Sequence, residues 1–173
     1  MVGCGKKFLI FTFNKQFVMT TFIGDYPCKV DAKGRIMLPS ALKRQMKSSV
    51  EGKFVIKKDL FEKCLVLFPI EEWERQNKII RSKINPYKKE HNKFLRGFYK
   101  GTAEIILDGN NRFLVPKRLL EIVGIDKEVV LAGQDGKIEI WNKELYNNIV
   151  GDEEDFASLA EKIMDGEIDQ FDE

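Results

Sequence analysis

The sequence contains few of the residues from which metal sites and nucleophilic sites are built. Among 173 residues it has three cysteines, Cys4, Cys28 and Cys64, and a single histidine, His91. The cysteines form no C-x-x-C pair and no metal-ligand spacing, which favours a reducing compartment. Cys28 and Cys64 lie in apolar-rich stretches, where a free thiol usually packs as a small hydrophobe. We therefore expect no metal, no cofactor and no catalytic thiol.

Long hydrophobic runs and catalytic signatures are absent as well. The apolar run that follows Lys6-Lys7 stops at Asn14, is too short to cross a bilayer and is not followed by a cleavage site. Residues 1–18 resemble no other part of the chain, so we expect a disordered leader or a start-site artefact, with Met19 as the natural start. The sequence has no P-loop, no H-E-x-x-H and no G-x-S-x-G. These absences predict a cytoplasmic protein that is not an enzyme, with no membrane and no small-molecule substrate as partner.

The charge is unevenly distributed along the chain. The formal net charge is +2, but residues 150–173 hold ten acidic residues against Lys162, while residues 19–149 hold 25 basic and 17 acidic residues. A basic body favours a polyanionic partner. The acidic tail would either screen that body or keep it soluble.

Two segments of the chain repeat each other at an offset of 77 residues. Val30 to Pro39 and Leu107 to Pro116 both consist of an apolar strand end, Asp-x-x-x-Arg, a second apolar run and a proline-initiated segment. The match continues downstream, where residues 54–56 correspond to 129–131 and residues 64–68 to 137–141. Each copy spans roughly 45 residues, which is too small to bury a sufficient core alone. The repeat predicts two copies packed about a pseudo-twofold axis.

The repeated motif is typical of a hairpin turn followed by an outgoing arginine. Asp31 can accept backbone N–H groups locally, and Gly34 supplies a positive φ; Asn111 holds the glycine position in the second copy and tolerates the left-handed conformation. Arg35 and Arg112 then leave the turns. A guanidinium can pair with guanine O6 and N7 or clamp a phosphate, and a narrow hairpin can enter the major groove. The alternative is that Asp-x-x-x-Arg is only a salt bridge within the turn.

Three helices are predicted outside the two copies. Pro69 opens the first, and Asn85-Pro86 separates it from the second, whose apolar stripe contains Tyr87, His91, Phe94, Leu95 and Phe98. The third, residues 152–164, is expected to turn Phe156, Leu159, Ala160 and Ile163 inward.

Four ordered motifs give the chain a resemblance to the MraZ family. They are Phe22-Ile23-Gly24-Asp25-Tyr26, Asp31 to Pro39, Leu67-Phe68-Pro69-x-x-x-Trp73 and Asp108-x-x-x-Arg112-x-x-x-Pro116, and the match runs from about Met19 to Phe156. The resemblance implies a mainly β fold with helices (α+β), built from duplicated AbrB-like swapped-hairpin β-barrel modules that form a pseudo-twofold unit. The implied domains are residues 22–68 and 102–145, joined by a helical connection at 69–101 and followed by a C-terminal helix and acidic tail at 150–173.

The same resemblance implies a function and a partner. Family members act as ring-shaped homo-oligomers, and the chain is expected to be a nucleoid-associated, sequence-specific DNA-binding transcriptional repressor. It would bind short direct repeats of double-stranded DNA in the promoter of the division and cell-wall gene cluster. The competing hypothesis is an antitoxin-like protein-interaction scaffold with the same fold, docking through its C-terminal helix or tail.

The Asp-x-x-x-Arg segments, as the family signature, identify the expected DNA-binding residues. They are Asp31, Lys33, Arg35, Asp108 and Arg112. Lys33 and Arg35 rank first, because Asn110-Asn111 gives the second turn less positive charge; Arg112, with Lys117 and Arg118 at the start of the next helix, ranks second. Lys43 and Arg44 are either phosphate anchors or ordinary helix surface.

Overall fold

A computed structural model describes residues 20–46, 52–149 and 153–165 of the chain. The predicted leader and the end of the acidic tail lie outside these residues. The first copy contains β1 (Asp25–Lys29), β2 (Arg35–Met37), α1 (Ser40–Gln45), β3 (Lys53–Lys58) and β4 (Leu65–Pro69). Two helices follow, α2 (Ile70–Lys83) and α3 (Lys89–Tyr99). The second copy contains β5 (Ala103–Ile106), β6 (Arg112–Leu114), α4 (Lys117–Val123), β7 (Glu128–Gln134) and β8 (Lys137–Asn142), and α5 (Lys143–Asn147) and α6 (Glu153–Met164) complete the described elements.

The strands of the two copies are exchanged. Six antiparallel strands form one sheet in the order β1-β7-β8-β4-β3-β5, and β2 pairs with β6 in a separate two-stranded sheet. The first strand of each copy therefore pairs with the other copy, β1 with β7 and β5 with β3. The predicted fold class, a mixed α+β protein of duplicated swapped-hairpin modules, is confirmed. The eight strands of the described residues do not form one continuous ladder; a hairpin turn in each copy connects the two sheets.

The strand register obeys the pseudo-twofold axis. In the two-stranded sheet the pairs are Arg35 with Leu114, Ile36 with Phe113 and Met37 with Arg112. Exchanging the copies converts the first pair into the last and leaves the central pair in place. The axis therefore passes between Ile36 and Phe113, and it leaves the six-stranded sheet between Val66 and Glu139, the central pair of β4 and β8.

One hydrophobic cluster joins both sheets to α1 and α4. Ile36 and Phe113 point inward from the two-stranded sheet, and Leu42 of α1 and Leu119 of α4 close the ends of the cluster. Each of these side chains is at most 1% exposed. Because both copies contribute to the same core, neither copy has a complete core of its own.

The helices after β4 cover part of the outer face of the large sheet. Trp73 of α2 stacks on Phe98 of α3 with ring centroids 5.6 Å apart, and its ring lies 5.8 Å from that of Phe68. Phe98 is the buried residue of α3, whereas Tyr87 precedes the helix and is 96% exposed. The predicted stripe was therefore wrong at Tyr87, since the turn after Asn85-Pro86 delays the helix to Lys89.

The apolar face of α6 was also predicted wrongly. Phe156, Leu159 and Ile163 are exposed, not inward, and Ala160 is half-buried. An amphipathic pattern indicates a face that avoids water but does not identify its partner. The two copies already close the core, so this face has no place within it. Among the described helices, none combines the length and apolar content that a membrane crossing requires.

Candidate nucleic-acid interface

The first repeated turn connects β1 to β2 through a closed hydrogen-bonded loop. The Asp31 N–H donates to the Arg35 carbonyl oxygen at 2.9 Å, and the Gly34 N–H donates to the Asp31 carbonyl oxygen at 2.9 Å. Gly34 has a φ of +82°, the left-handed conformation that the sequence predicted for it. The turn thus delivers Arg35 directly into the two-stranded sheet.

The Asp31 carboxylate holds this turn from inside. Its Oδ1 accepts the backbone N–H groups of Lys33 and Arg35, each at 2.9 Å, and its Oδ2 accepts Arg35 Nε at 2.7 Å. These bonds, above all the Arg35 backbone N–H, hold the pKa of Asp31 below its ordinary value of 3.8. The carboxylate is therefore ionised and its charge is compensated locally, so that it presents little net repulsion to a phosphate.

The second turn repeats this arrangement bond for bond. Asp108 Oδ1 accepts the backbone N–H groups of Asn110 at 2.8 Å and Arg112 at 2.9 Å, and Oδ2 accepts Arg112 Nε at 3.0 Å. The backbone N–H of Arg112 is likewise the main reason that the pKa of Asp108 lies below 3.8. Asn111 takes the left-handed conformation with a φ of +58°. Gly34 and Asn111 are thus equivalent in backbone conformation despite their different side chains.

The two turns lie beside each other. The Val115 N–H donates to the Gly34 carbonyl oxygen, and the Leu38 N–H donates to the Asn111 carbonyl oxygen, both at 2.9 Å. Each turn is thereby bonded to the strand that leaves the other. We call the resulting surface the paired-turn surface, comprising residues 31–37 and 108–114.

Each arginine of the paired-turn surface is held by one edge of its guanidinium. The side chains of Arg35 and Arg112 are 29% and 30% exposed, and in both the aspartate is bonded through Nε. The terminal Nη groups lie outside that hydrogen bond. Because the aspartate restricts the rotamers of each arginine, the guanidinium is held in place before any ligand arrives.

The remaining predicted site residues are distributed unevenly around this surface. Lys33 is exposed on the first turn, and Lys43 reaches across from α1 to donate a hydrogen bond to Asn111 Oδ1. Lys117 Nζ lies 3.8 Å from Glu121 Oε1, and the Lys117 side chain is 89% exposed. Arg44 and Arg118 are exposed on α1 and α4. The structure therefore brings Lys43 to the second turn, while Lys117 is shared with an acidic neighbour on its own helix.

Sequence reasoning missed two side chains of the paired-turn surface. Met37 and Leu114 are 59% and 55% exposed on the outer face of the two-stranded sheet, beside the arginines. The signal was present in Arg35-Ile36-Met37 and Arg112-Phe113-Leu114, because alternation in a strand places residues on either side of a buried position on the opposite face.

A separate cavity of about 490 Å³ lies on the outer side of the large sheet, near α2 and α3. Lys57 contributes to its wall, is only 4% exposed and places Nζ 3.9 Å from the centroid of the Phe98 ring. Burial lowers the pKa of Lys57 to about 8. Burial also raises the pKa of the Cys64 thiol, at the residue before β4, which argues against a reactive thiolate. In the described ranges, no three His, Cys, Asp or Glu residues lie close enough to hold a metal ion.

The exchanged strands and the paired turns define a tandem swapped-hairpin protein, with one Asp-x-x-x-Arg turn contributed by each copy. The family described as "MraZ protein, putative antitoxin-like" matches residues 21–97 and again residues 98–165. The chain belongs to the MraZ family.

Relatives of the chain carry the name transcriptional regulator MraZ. The protein of Christiangramia forsetii is 44% identical over 89% of this chain and 98% of its own length. Those of Flavobacterium psychrophilum and Bacteroides fragilis are 42% and 39% identical, each over 84% of this chain and over 93% and 92% of their own lengths. The family is therefore one of transcriptional regulators, which is not a class of enzymes.

Proposed function

We propose that the chain is a sequence-specific DNA-binding regulator of transcription that reads duplex DNA with its paired-turn surface. It acts in the cytoplasm at the nucleoid, as a homo-oligomeric ring on short direct repeats in the promoter of the division and cell-wall gene cluster. Occupation of that promoter would block polymerase and repress transcription. The single observation that carries the proposal is the side-by-side placement of two arginines, each oriented by an aspartate in a turn of the same backbone geometry.

The shape of the paired-turn surface suits the major groove. A two-stranded antiparallel ribbon fits within this groove, which is about 12 Å wide. The outer face of β2 and β6 presents Arg35 and Arg112 at diagonal positions of the register, which are typically about 7–8 Å apart. That separation corresponds to about two base-pair steps of 3.4 Å. Two guanidinium groups on one protomer can therefore contact bases within one short element.

The difference between the turns gives the surface a direction. Lys33 adds a positive charge to the first turn, whereas Asn110 stands at its position in the second. A symmetric surface would favour an inverted repeat, but unequal turns favour an element with distinct ends. Elements of that kind, repeated in one orientation, are direct repeats.

Assembly of several protomers compensates for the weak DNA binding of each single paired-turn surface. One bidentate arginine contact discriminates between bases by only about 1–3 kcal/mol. Protomers at fixed spacing in a ring bind successive elements at high effective concentration, which raises affinity without new contacts.

The test is fluorescence-anisotropy titration of the DNA upstream of the chain's own gene, across a salt series. We expect Arg35→Ala and Arg112→Ala each to weaken binding about 10- to 100-fold, as loss of a bidentate base contact would. Arg81→Ala, which removes an exposed arginine from α2, is the matched control and should leave the affinity unchanged. Sedimentation velocity establishes that the variants keep the wild-type assembly. Wild-type affinity in both turn variants would show that the aspartate-arginine pairs are only structural.

The antitoxin-like scaffold remains the second candidate, favoured by one observation. The exposed apolar residues of α6, Phe156, Leu159 and Ile163, form a face suited to docking on another protein. This candidate predicts that the turn variants bind a partner protein normally, whereas Phe156→Asp abolishes that binding. A chain that bound no DNA but lost a protein partner on this substitution would support it.

A further inference from the structure

We propose that Met37 and Leu114 determine base preference by contacting thymine methyl groups in the major groove. The inference rests on the proposed function and extends it from the arginines to the apolar side chains between them. Each protomer would then contact guanines with two guanidinium groups and thymines with two apolar side chains.

Met37 and Leu114 are apolar residues on the solvent-facing side of their strands. A two-sided strand normally turns its polar residues to solvent and its apolar residues to the core. Here Ile36 and Phe113 fill the inward positions, and Met37 and Leu114 occupy outward positions that are more than half exposed. The same exception occurs in both copies at equivalent places.

The register places each apolar side chain directly opposite an arginine. Leu114 faces Arg35 and Met37 faces Arg112 across the two-stranded sheet. Opposed residues of an antiparallel pair have Cβ atoms about 4.5–5.5 Å apart, a separation between one and two base-pair steps of 3.4 Å. Leu114 is also packed near the first turn, since a Cβ built on Gly34 would lie 3.8 Å from its Cδ1. The arginine and apolar tips therefore approach neighbouring base pairs together.

The major groove offers one apolar group to such a tip. Thymine exposes its C5 methyl there, and guanine exposes the O6 and N7 acceptors that suit arginine. Charge complementarity between the arginines and the DNA would bring Met37 and Leu114 into the groove, where a methyl contact removes both partners from water. We thus infer a thymine in a base pair adjacent to each guanine that Arg35 or Arg112 contacts.

The experiment deletes single methyl groups from the DNA. A duplex of highest affinity is first selected from a random library by the wild-type protein, and each thymine is then replaced singly by deoxyuridine, which lacks only the methyl. We expect one or two positions at which the replacement weakens wild-type binding about three- to fivefold, the loss that corresponds to one buried methyl group.

The coupled measurement assigns those positions to residues. Met37→Gln keeps the length of the side chain and replaces its apolar tip, and Leu114→Ala shortens the second tip. At the thymine that its altered side chain would contact, each variant should bind the thymine and deoxyuridine duplexes with equal affinity. At the thymine contacted by the other, unaltered side chain, it should still prefer thymine to deoxyuridine. Ile106→Ala, at a β5 side chain that is also 59% exposed, is the matched control and should keep both.

The outcomes separate this inference from the proposed function. Specific duplex binding with no deoxyuridine effect at any position, or an effect unchanged by both variants, overturns the thymine reading and leaves the arginine reading intact. Failure of the library to yield a specific duplex overturns the proposed function itself. If Met37→Gln or Leu114→Ala instead dissociates the oligomer while preserving discrimination per protomer, these side chains form an interface between copies and the inference is wrong.

Discussion

The two copies share the geometry of their turns but not the charge. Asp31 and Asp108 make the same three bonds, and Gly34 and Asn111 share a left-handed backbone, whereas Lys33 has an asparagine at its equivalent position. The comparison shows which positions the hairpin requires: an aspartate to accept the N–H groups and a residue that tolerates a positive φ. The other turn positions can vary, so a nearly symmetric backbone carries an asymmetric electrostatic surface.

A second difference lies on the outer face of the large sheet. Lys57 of β3 is equivalent in the repeat to Ala132 of β7, and both are buried. The Lys57 ammonium is held beneath Phe98 by the helices that follow the first copy. The first copy thus buries a charge where the second buries a methyl group. The comparison predicts unequal contributions of the two copies to stability.

The largest expected effect comes from removing this buried charge. The fall in the pKa of Lys57 from 10.5 to about 8 corresponds to about 3 kcal/mol of unfavourable free energy for the charged form in the folded chain. Methionine retains the length and packs against an aromatic ring, although it loses the cation–π contact with Phe98. We expect Lys57→Met to raise the free energy of unfolding at pH 7 by about 1–3 kcal/mol, measured by urea denaturation at fixed protomer concentration.

The pH dependence tests the cause of that gain. The unfolded chain keeps the Lys57 proton up to its ordinary pKa of 10.5, whereas the folded chain releases it near 8. The unfolded state therefore binds more protons in this range, and wild-type stability should rise between pH 8 and 10.5. Lys57→Met should lack this rise, while Lys58→Met should retain it. A constant difference between Lys57→Met and the wild type across the range would contradict burial of a charge as the cause.

The second prediction concerns the left-handed residues. Gly34→Ala forces a Cβ into a φ of +82° and places it 3.3 Å from the Val115 carbonyl oxygen. We expect a loss of about 1–2 kcal/mol in the free energy of unfolding, the cost of a left-handed L-residue. Asn111→Gly should lower it by less than Gly34→Ala does, since glycine accepts the same conformation without strain and only the exposed hydrogen bond from Lys43 is lost. If urea titrations gave Asn111→Gly a loss as large as that of Gly34→Ala, the second turn would depend on the asparagine side chain and not only on its left-handed backbone.

Much of this comparison could be predicted from the sequence, because its physical origin is local. The aspartate bonds residues two and four positions ahead of it, and the positive φ is a property of one residue, so the motif alone indicates the turn. The mixed fold class also followed from the repeat and its resemblance. Local rules of this kind apply to Asp31 and Gly34 whatever surrounds them.

The remaining features depend on contacts between distant segments. The approach of Lys43 to Asn111 joins residues 68 apart in sequence, and the position of Met37 opposite Arg112 depends on which strand pairs with β2. The outward face of α6 shows the same limitation, because hydrophobic periodicity cannot tell whether a core has room for another helix. The sequence likewise carried no sign that Lys57 would be buried, since its cover, Phe98, arrives from α3.

The third prediction reverses the charge difference between the turns. Lys33→Asn gives the first turn the residue of the second, and Asn110→Lys does the opposite. If Lys33 contacts a phosphate, Lys33→Asn should reduce the slope of log affinity against log salt by about 1, and Asn110→Lys should increase it by up to about 1. Anisotropy titrations across a salt series measure both, with the exposed Lys78→Asn of α2 as control. Unchanged slopes would place Lys33 outside the contact with DNA.

The smallest effect concerns a property that the two turns share. The pKa values of Asp31 and Asp108 both lie below 3.8, with a backbone N–H of the following arginine as the main cause. The ionised carboxylates therefore stabilise the turns fully above pH 3.8, and this stabilisation is lost as the pH falls through their lower pKa values in the folded chain. We expect the amide resonances of Lys33 and Asn110, which donate to these carboxylates at 2.9 Å and 2.8 Å, to move together in an NMR titration below pH 3.8.

Substitution of the charged neighbour distinguishes the causes of this shared property. Because the hydrogen bonds to the Asp31 carboxylate come from backbone N–H groups and from the Arg35 side chain, the Lys33 ammonium is not needed to depress the pKa of Asp31. Lys33→Asn should thus leave the midpoint of the Asp31 titration unchanged, even though we expect the same substitution to weaken DNA binding. Arg35→Ala should move that midpoint upward, toward 3.8, and leave the second turn unaffected. A midpoint that shifted in Lys33→Asn would mean that the Lys33 charge, and not the backbone hydrogen bonds, depresses the pKa of Asp31. The two turns would then not share one cause for the lowered pKa of their aspartates.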